Sequence, residues 1–346
     1  MNELFAVKPV DKQFYLEHIK DFLPDQFIDS HTHIWLEQFR IQSEHTLIRS
    51  VSWPSLVARD NSVEDLLQTY RLLFPDKQVL PLLMGQPTND IDLEANNRYV
   101  ADSAKRYALP ALLITVPEWT GDEVREKILA GGFRGTKVYL NFAPAYIPQN
   151  EIRIFDFLPP HQLQVLNAMK AVVVLHIPRS QRLKDPVNLA QMAEIAQKFP
   201  DIKLIIAHVG RAYCDEDIGN AFEVLNQAPN LLFDISANTN QHTFEKLIEA
   251  VGPRRILFGS DMPILRMRSR RICEQGNYIN LVPPGVYDPA SLDSHMRVVD
   301  ALTAQSLTFF MYEEILAFKK AAQATGLNRQ DVADVFYHNA RRVLGL

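Results

Sequence analysis

Apolar and polar residues along this chain form blocks that predict strands alternating with helices. The runs VVVL at 172–175 and LIIA at 204–207 are short and apolar throughout, which is typical of parallel strands buried on both faces. Ser62, followed by Glu64 and Asp65, marks a helix start because its hydroxyl can cap the first turn. The pattern predicts strands at 26–33, 78–84, 109–116, 133–140, 171–176, 202–208, 230–235 and 255–261, and helices at 11–23, 63–74, 91–107, 121–130, 159–169, 187–199, 216–227, 241–250, 295–324 and 328–344.

The alternation of strand and helix predicts the α/β class, and eight strands favour a closed (β/α)8 TIM barrel over an open sheet. No domain boundary is visible, so we expect residues 1–346 to form a single barrel domain with a helical lead-in over 1–25 and extra C-terminal helices. Residues 34–62 show no period, and a loop of this length after the first strand is expected to cover a site. The proline-containing stretch after the eighth strand is expected to be irregular.

Side chains that can bind a metal end four of the predicted strands. His31 and His33 end the first strand, and His176, His208 and Asp261 end the fifth, sixth and eighth. In a TIM barrel the active site lies at these carboxyl ends. Imidazoles and a carboxylate gathered there predict a site for a divalent ion.

The period of a strand also predicts which of these side chains point inward. Alternate side chains share a face, so Asp29 is expected to lie below His31 and His33 and to support them. By the same rule Ile206 and His208 are expected to share the inward face of the sixth strand.

Composition narrows the possible functions. The net charge of the 346 residues is −5, which gives no basic field for nucleic acid, and no apolar run reaches the roughly 18–20 residues of a membrane span. The N-terminus lacks the layout of a signal peptide. Two cysteines, Cys214 and Cys273, do not suggest a disulfide scaffold and fit a reducing compartment. We therefore expect a cytoplasmic protein with a small-molecule substrate and no nucleic-acid or membrane partner; a homo-oligomer is compatible with this.

Four segments together resemble the amidohydrolase superfamily, namely FIDSHTH, VVVLHIP, LIIAHVG and ILFGSDMP. The C-terminal VADVFYHNARRVLGL and the strand opening GGFRGTKVYL resemble the branch that also contains aminocarboxymuconate-semialdehyde-type decarboxylases. The resemblance runs from about Phe27 to the end of the chain. It implies a metal-dependent TIM-barrel enzyme and leaves the substrate open.

The resemblance and the ligand chemistry together predict one divalent ion held by His31, His33, His176 and Asp261. Nitrogen and oxygen ligands suit Zn²⁺, with Mn²⁺, Co²⁺ and Fe²⁺ as alternatives. Asp261 is also predicted to accept the proton of the attacking water. In the family the histidine of strand six usually stands beside the metal, so His208 is expected to polarise the substrate or to shuttle a proton.

Lys137 and Tyr139 share one face of the fourth strand and are candidates for substrate binding. Some superfamily members carboxylate a lysine on this strand to bridge two metals. Lys137 lies in the middle of its strand, and the branch more often has a single metal. A lysine that faces substrate or forms a salt bridge is therefore favoured, with the binuclear centre as the alternative.

Loop residues near the strand ends supply further candidates. Arg179, Arg211 and Arg266 follow strands five, six and eight, where they are predicted to bind a substrate carboxylate unless they are simply solvated. Trp35 and Trp53 lie in the long first loop. They either stack on a substrate ring or anchor the loop.

These observations predict a metal-dependent hydrolase that uses a metal-activated water on a small carboxylated substrate such as a lactone, an ester or an amide. The alternative on the same scaffold is a non-hydrolytic decarboxylase of an unsaturated or aromatic acid. A barrel that binds a ligand without turnover is the third possibility, and the complete set of predicted metal ligands counts against it.

Overall fold

The computed structural model describes residues 4–41, 49, 57–286 and 294–346, and within these ranges the eight predicted strands form a barrel. Strands three to eight form one continuous parallel sheet, and the first two strands pair in parallel beside it. The barrel strands are β1 (Gln26–His33), β2 (Gln78–Met84), β3 (Leu113–Ile114), β4 (Gly135–Val138), β5 (Val172–Leu175), β6 (Lys203–Ile206), β7 (Leu232–Asp234) and β8 (Ile256–Leu257).

Backbone hydrogen bonds close the ring at its two seams. Ser30 N donates to Phe258 O at 3.0 Å between β1 and the end of β8, and Leu83 N donates to Pro110 O at 2.9 Å between β2 and the segment before β3. The predicted TIM barrel is confirmed.

Helices surround the barrel at nearly the predicted positions. The helix Val63–Leu73 begins where Ser62 Oγ accepts from Asp65 N at 3.0 Å, as the sequence predicts. Among the described residues, no helix combines the length and apolar character needed to cross a membrane. The helices are α1 (Pro9–Phe14), α2 (Val63–Leu73), α3 (Leu93–Tyr107), α4 (Gly121–Gly131), α5 (Pro160–Ala168), α6 (Pro186–Lys198), α7 (Ala221–Leu225), α8 (Gln241–Val251), α9 (Ala301–Ser306), α10 (Phe310–Ala324), α11 (Arg329–Ala333) and α12 (Asn339–Leu344), and π-helical turns at Tyr15–Ile19 and Asp334–His338 continue α1 and α11.

Apolar side chains fill the barrel and plug its N-terminal end. Val343 and Leu344 of α12 pack against the interior cluster, and Lys203 Nζ donates to Val343 O at 2.7 Å. The polar residues of the candidate site lie at the opposite end. The cluster inside the barrel comprises Ile28, Leu82, Met84, Leu112, Ile114, Val172, Val174, Ile205, Ala207, Leu232 and Leu257.

The segment after β8 differs from the prediction of an irregular stretch followed by a helix. It forms an antiparallel hairpin of β9 (Arg270–Glu274) and β10 (Asn277–Val282), and β11 (Met296–Val298) pairs in parallel with β10. Gln275 and Gly276 join the hairpin with φ values of 51° and 74°, as a two-residue turn with positive φ at both positions requires. The sequence Gln-Gly is a weaker hairpin signal than Asn-Gly, which explains the missed strands.

The two cysteines form a disulfide, which corrects the expectation drawn from their sparse number. Cys214 follows β6 and Cys273 lies on β9, at a sequence separation of 59. Because β9 was not predicted, the sequence offered no reason to bring the two sulfur atoms together.

Candidate metal centre

Three of the four predicted metal ligands meet at the carboxyl ends of β1 and β8. The Nε2 atoms of His31 and His33 lie 3.6 Å and 3.3 Å from Asp261 Oδ1. One ligand atom from each of the three side chains lies within 4.8 Å of the others. All three side chains are buried, so a small ion here would be largely withdrawn from bulk water.

An irregularity in β1, and not simple alternation, turns His31 toward this cluster. Phe27 packs in the outer layer and Ile28 inside the barrel, so strict alternation would point His31 outward. The pairing of β1 with β2 shifts register between Asp29 and Thr32. The predicted common face of Asp29 and His31 is therefore wrong.

Asp29 instead ties β1 to β8 behind the cluster. Its Oδ1 accepts from Ser260 N at 2.8 Å and from His31 N at 3.2 Å, and its Oδ2 accepts from Tyr70 OH at 2.7 Å. Burial raises the pKa of Asp29 to about 7, although these hydrogen bonds from Ser260 and Tyr70 act to lower it. Asp29 thus fixes two stretches of backbone, one at His31 and the other at Ser260, the residue before Asp261.

Hydrogen bonds fix which nitrogen of each histidine faces Asp261. His31 Nδ1 lies 2.9 Å from Asp234 Oδ2, and His33 Nδ1 lies 2.7 Å from Gly85 O. A carboxylate and a carbonyl can only accept, so both Nδ1 atoms carry the proton. The lone pairs of both Nε2 atoms then face Asp261, which is the arrangement of metal-binding histidines.

His208 reaches the cluster through a turn after β6. Ile205 lies inside the barrel and Ile206 outside it, so the prediction that Ile206 and His208 share the inward face is wrong. The ring of His208 nevertheless lies 4.9 Å from the ring of His31 and 5.3 Å from that of His176, measured between centroids.

The turn at 208–211 is unusual because all four of its residues are left-handed. Their φ values are 58°, 48°, 61° and 61°, and Val209, being β-branched, strongly disfavours such a conformation. The backbone N–H of His208 donates to Asp234 Oδ1 at 2.7 Å, and His208 Nδ1 lies 3.0 Å from Ser236 O. Since that carbonyl only accepts, Nε2 of neutral His208 is the free acceptor.

His176, the fourth predicted ligand, borders the cluster. Its ring centroid is 4.4 Å from that of Tyr139, and its Nδ1 is buried without a hydrogen-bond partner in the described part of the chain. A second group of candidate ligand atoms within 4.8 Å joins His31, His208 and Asp234. Among the described residues, His208 therefore shares a group of candidate ligand atoms with His31, whereas His176 is in neither group.

Lys137 is completely buried, and its Nζ lies 3.0 Å from His31 Nε2. Burial lowers the pKa of this lysine to about 8, against the opposing charges of Asp261 and Asp234. Its amine contacts an imidazole, so the predicted salt bridge is not seen in the described part of the chain.

The protonation states of the histidines and of Asp261 suit a cation at neutral pH. Burial alone would raise the pKa of Asp261, but the hydrogen bond with His33 and the fields of His31 and His208 lower it to about 2. Burial, followed by the charge of Lys137, lowers the pKa of His31 to about 3. Burial also lowers the pKa values of His176 and His208. Neutral imidazoles and an ionised carboxylate are the forms that bind metal.

A family model described as amidohydrolase matches residues 28–274, more than half of the chain. The chain belongs to the amidohydrolase family. A comparison with curated protein sequences finds no match.

Solved structures similar to this amidohydrolase share its barrel at low sequence identity. A probable 2-pyrone-4,6-dicarboxylic acid hydrolase from Acinetobacter baumannii, with citric acid bound, is 16% identical over 92% of this chain and 99% of that chain, with a TM-score of 0.55. An amidohydrolase from Burkholderia multivorans with bound zinc is 14% identical over 93% and 99%, with a TM-score of 0.54. The 5-carboxyvanillate decarboxylase from Sphingomonas paucimobilis is 12% identical over 93% and 100%, with a TM-score of 0.58.

Family membership supports an enzyme, and amidohydrolases typically bind a divalent metal. The histidine and aspartate groups of this amidohydrolase could hold one. The buried, unpartnered Nδ1 of His176 fits such an ion as well, because a buried polar atom without a partner is costly.

Of the predicted arginines, Arg211 places a charge that acts on His176. Its Nη1 lies 3.3 Å from each of the carbonyl oxygens of Ile177, Pro178 and Arg179, and its charge contributes to the lowered pKa of His176. Among the described residues it pairs with no carboxylate, so its charge is available to an anionic substrate.

The other two arginines contact loop residues. Arg179 Nε lies 3.1 Å from Asp185 Oδ2, at the N-cap of α6. Arg266 donates to Val57 O at 3.2 Å, and its guanidinium lies 5.5 Å from the ring centroid of Phe5. These contacts join each guanidinium to a neighbouring loop.

Trp35 anchors the start of the first loop. Its side chain is buried in a small cluster with Ala58 and Ile91, and its Nε1 donates to Arg59 O at 2.9 Å. Of the two roles that the sequence left open, these contacts support anchoring. Trp53 lies outside the described residues.

Sequence reasoning missed Asp234 and Ser236 at the end of β7. Asp234 contacts both His31 and His208, and Ser236 Oγ lies 3.1 Å and 2.9 Å from their Nδ1 atoms. The signal was present in NLLFDIS, where a carboxylate ends an apolar strand just as Asp261 does.

Proposed function

We propose that this amidohydrolase is a metal-dependent hydrolase of a small carboxylated substrate such as a lactone, an ester or an amide. One divalent ion, with Zn²⁺ as the first candidate, is held by His31, His33, His176 and Asp261. The observation that carries the proposal is the convergence of two oriented Nε2 lone pairs on an ionised Asp261 oxygen at the barrel mouth.

A divalent ion in such a site polarises a substrate oxygen and lowers the pKa of a water molecule. Asp261 accepts the proton of the attacking water, because its lowered pKa keeps it ionised at neutral pH. His208 presents a free Nε2 acceptor, since its Nδ1 is held by Ser236 O. It receives or returns a proton on the substrate side.

A carboxylated substrate fits the cations at the carboxyl ends of β4 to β6. Lys137 and Arg211 both carry charge there, and neither pairs with a carboxylate among the described residues. Tyr139 lies against His176 and adds an aromatic wall. A substrate anion would form ion pairs with these two cations.

Decarboxylation remains the second candidate, and Lys137 is the observation that favours it. A buried ammonium 3.0 Å from His31 Nε2 is placed to hold a departing carboxylate or to deliver a proton to carbon. The decarboxylase among the similar structures is consistent with this but, at 12% identity, shows the fold alone.

The test is a panel of carboxylated lactones, esters, amides and aromatic acids, incubated with zinc-loaded protein in H₂¹⁸O. The hydrolase proposal predicts ¹⁸O in the product and no CO₂. Release of CO₂ without ¹⁸O incorporation would establish the decarboxylase, and binding with neither product would leave a ligand-binding barrel.

The remaining expectations are part of the same proposal. They are a small-molecule substrate, no nucleic-acid or membrane partner, and compatibility with a homo-oligomer. The sequence also predicts a cytoplasmic location, whereas the Cys214–Cys273 disulfide is more typical of oxidising compartments.

A further inference from the structure

Asp234 contacts both His31, a proposed metal ligand, and His208, the proposed proton carrier. It ends β7 and is completely buried. Its Oδ2 lies 2.9 Å from His31 Nδ1, whereas its Oδ1 accepts from the backbone N–H of His208 at 2.7 Å. Oδ1 also accepts from Ser236 N at 3.2 Å and from the Ser236 hydroxyl.

We propose that Asp234 is a positioning residue with two separable tasks. Through Oδ2 it keeps the proton of His31 on Nδ1, so that Nε2 can bind the metal. Through Oδ1 it holds the turn that aims His208. The inference rests on the proposed function, since it assigns the residue that prepares that site.

The first task requires a carboxylate oxygen in particular. Oδ2 can only accept, so it selects the His31 tautomer that carries hydrogen on Nδ1. Lys137 Nζ, 3.0 Å from His31 Nε2, agrees with that tautomer because an ammonium can only donate. An amide nitrogen in place of Oδ2 would donate to Nδ1, move the proton to Nε2 and remove the lone pair that binds metal.

The second task concerns the turn at 208–211. Its four left-handed residues include Val209, and such a backbone persists only where surrounding contacts determine it. The Asp234 Oδ1 contact with His208 N is made at the first of these residues. An asparagine that keeps its amide oxygen at this position would retain the turn, whereas alanine would release it.

The experiment compares D234N and D234A with wild type in two measurements. Zinc affinity is measured by calorimetry, and histidine tautomers are read from ¹⁵N–¹H correlations in metal-free protein. D217N is the matched control, because Asp217 is a buried carboxylate that accepts from Tyr213 N at 3.1 Å, Cys214 N at 2.9 Å and Arg182 Nη1 at 2.7 Å and contacts neither histidine.

The proposal predicts that D234N binds zinc about 10–100-fold more weakly, as a lost outer partner of a ligand typically does. The same variant should shift the His31 proton to Nε2 and leave the His208 signals in place. D234A should alter both histidines, and D217N should keep the wild-type zinc affinity and His31 tautomer.

Wild-type affinity in D234N, or an equal loss in D217N, would overturn the proposal. Should D234N fail to fold, the wild-type spectrum still decides: a proton on Nε2 of His31 in metal-free wild type contradicts the first task. Failure of the proposed function is distinguishable, because wild type would then bind no zinc while His31 still carries its proton on Nδ1.

Discussion

The two sides of the strand-end cluster differ in how completely their polar atoms are fixed. On the anchored side, formed by His31, His33 and Asp261, each histidine donates from Nδ1 to an acceptor within 2.9 Å. On the open side, formed by Lys137, Tyr139 and His176, the Nδ1 of His176 has no partner among the described residues.

The difference follows from where each side lies in the barrel. The anchored side spans the seam between β1 and β8, where Asp261 N donates to His31 O at 2.7 Å. The open side belongs to β4 and β5, which pair with each other inside the continuous parallel sheet. Preorganised ligands on one side and the unpartnered Nδ1 of His176 on the other suit an ion that must also admit a substrate.

The largest effect is expected at Asp261. D261N keeps an oxygen near His31 and His33 but removes the base, so turnover should fall by about 10²–10⁴-fold, with part of the metal retained. Rate and metal content are measured on the same sample, once a substrate has been found. A variant with a near-normal rate would show that the anchored side does not supply the base.

The histidines of β5 and β6 test whether the open side binds the ion. H176A should lower metal content sharply, because it removes one of four proposed ligands. H208A should spare more of the metal and still slow the reaction. Elemental analysis of the two variants, with H338A as an exposed histidine control, makes the comparison. Equal loss in H176A and H208A would make His208 a ligand.

The smallest effect is a pH dependence of stability at Glu314, a buried carboxyl of α10. Burial, followed by the charges of Asp29 and Asp234, raises the pKa of Glu314 well above 4.5, and the Ala237 backbone lowers it only in part. The folded state therefore keeps a proton that the unfolded state loses above about pH 4.5, so this stability is lost as pH rises. E314Q stays neutral and should become the more stable protein as pH rises.

Urea unfolding of metal-free E314Q and wild type at pH 5 and pH 8 measures that difference. A constant difference between the two pH values would mean that Glu314 does not titrate as its burial requires.

The barrel was predictable because several of its strands are continuous apolar runs that end in a histidine or an aspartate. His31, His33 and Asp261 follow such runs, and their meeting could be inferred from the fold class alone. The orientation of His31 and His208 could not, because a register shift in β1 and a left-handed turn after β6 replace simple alternation. Neither feature can be recognised from the alternation of apolar and polar residues along the strands.

Contacts between segments that are distant in the sequence could not be predicted either. The hairpin β9–β10 depends on a Gln275–Gly276 turn, and its disulfide joins Cys273 to Cys214 across 59 positions. Asp234 ends a short strand in the same way as Asp261, yet only the barrel geometry shows that it reaches both His31 and His208.

The central claim is one divalent ion bound across the two sides of the cluster. A crystal grown with Zn²⁺ and measured at the zinc absorption edge tests it most directly. The account predicts a single anomalous peak about 2.0–2.2 Å from His31 Nε2, His33 Nε2, His176 Nδ1 and an Asp261 oxygen. A peak on His208 and Asp234, no peak, or two peaks about 3.5–4 Å apart bridged by a carboxylated Lys137 would contradict it.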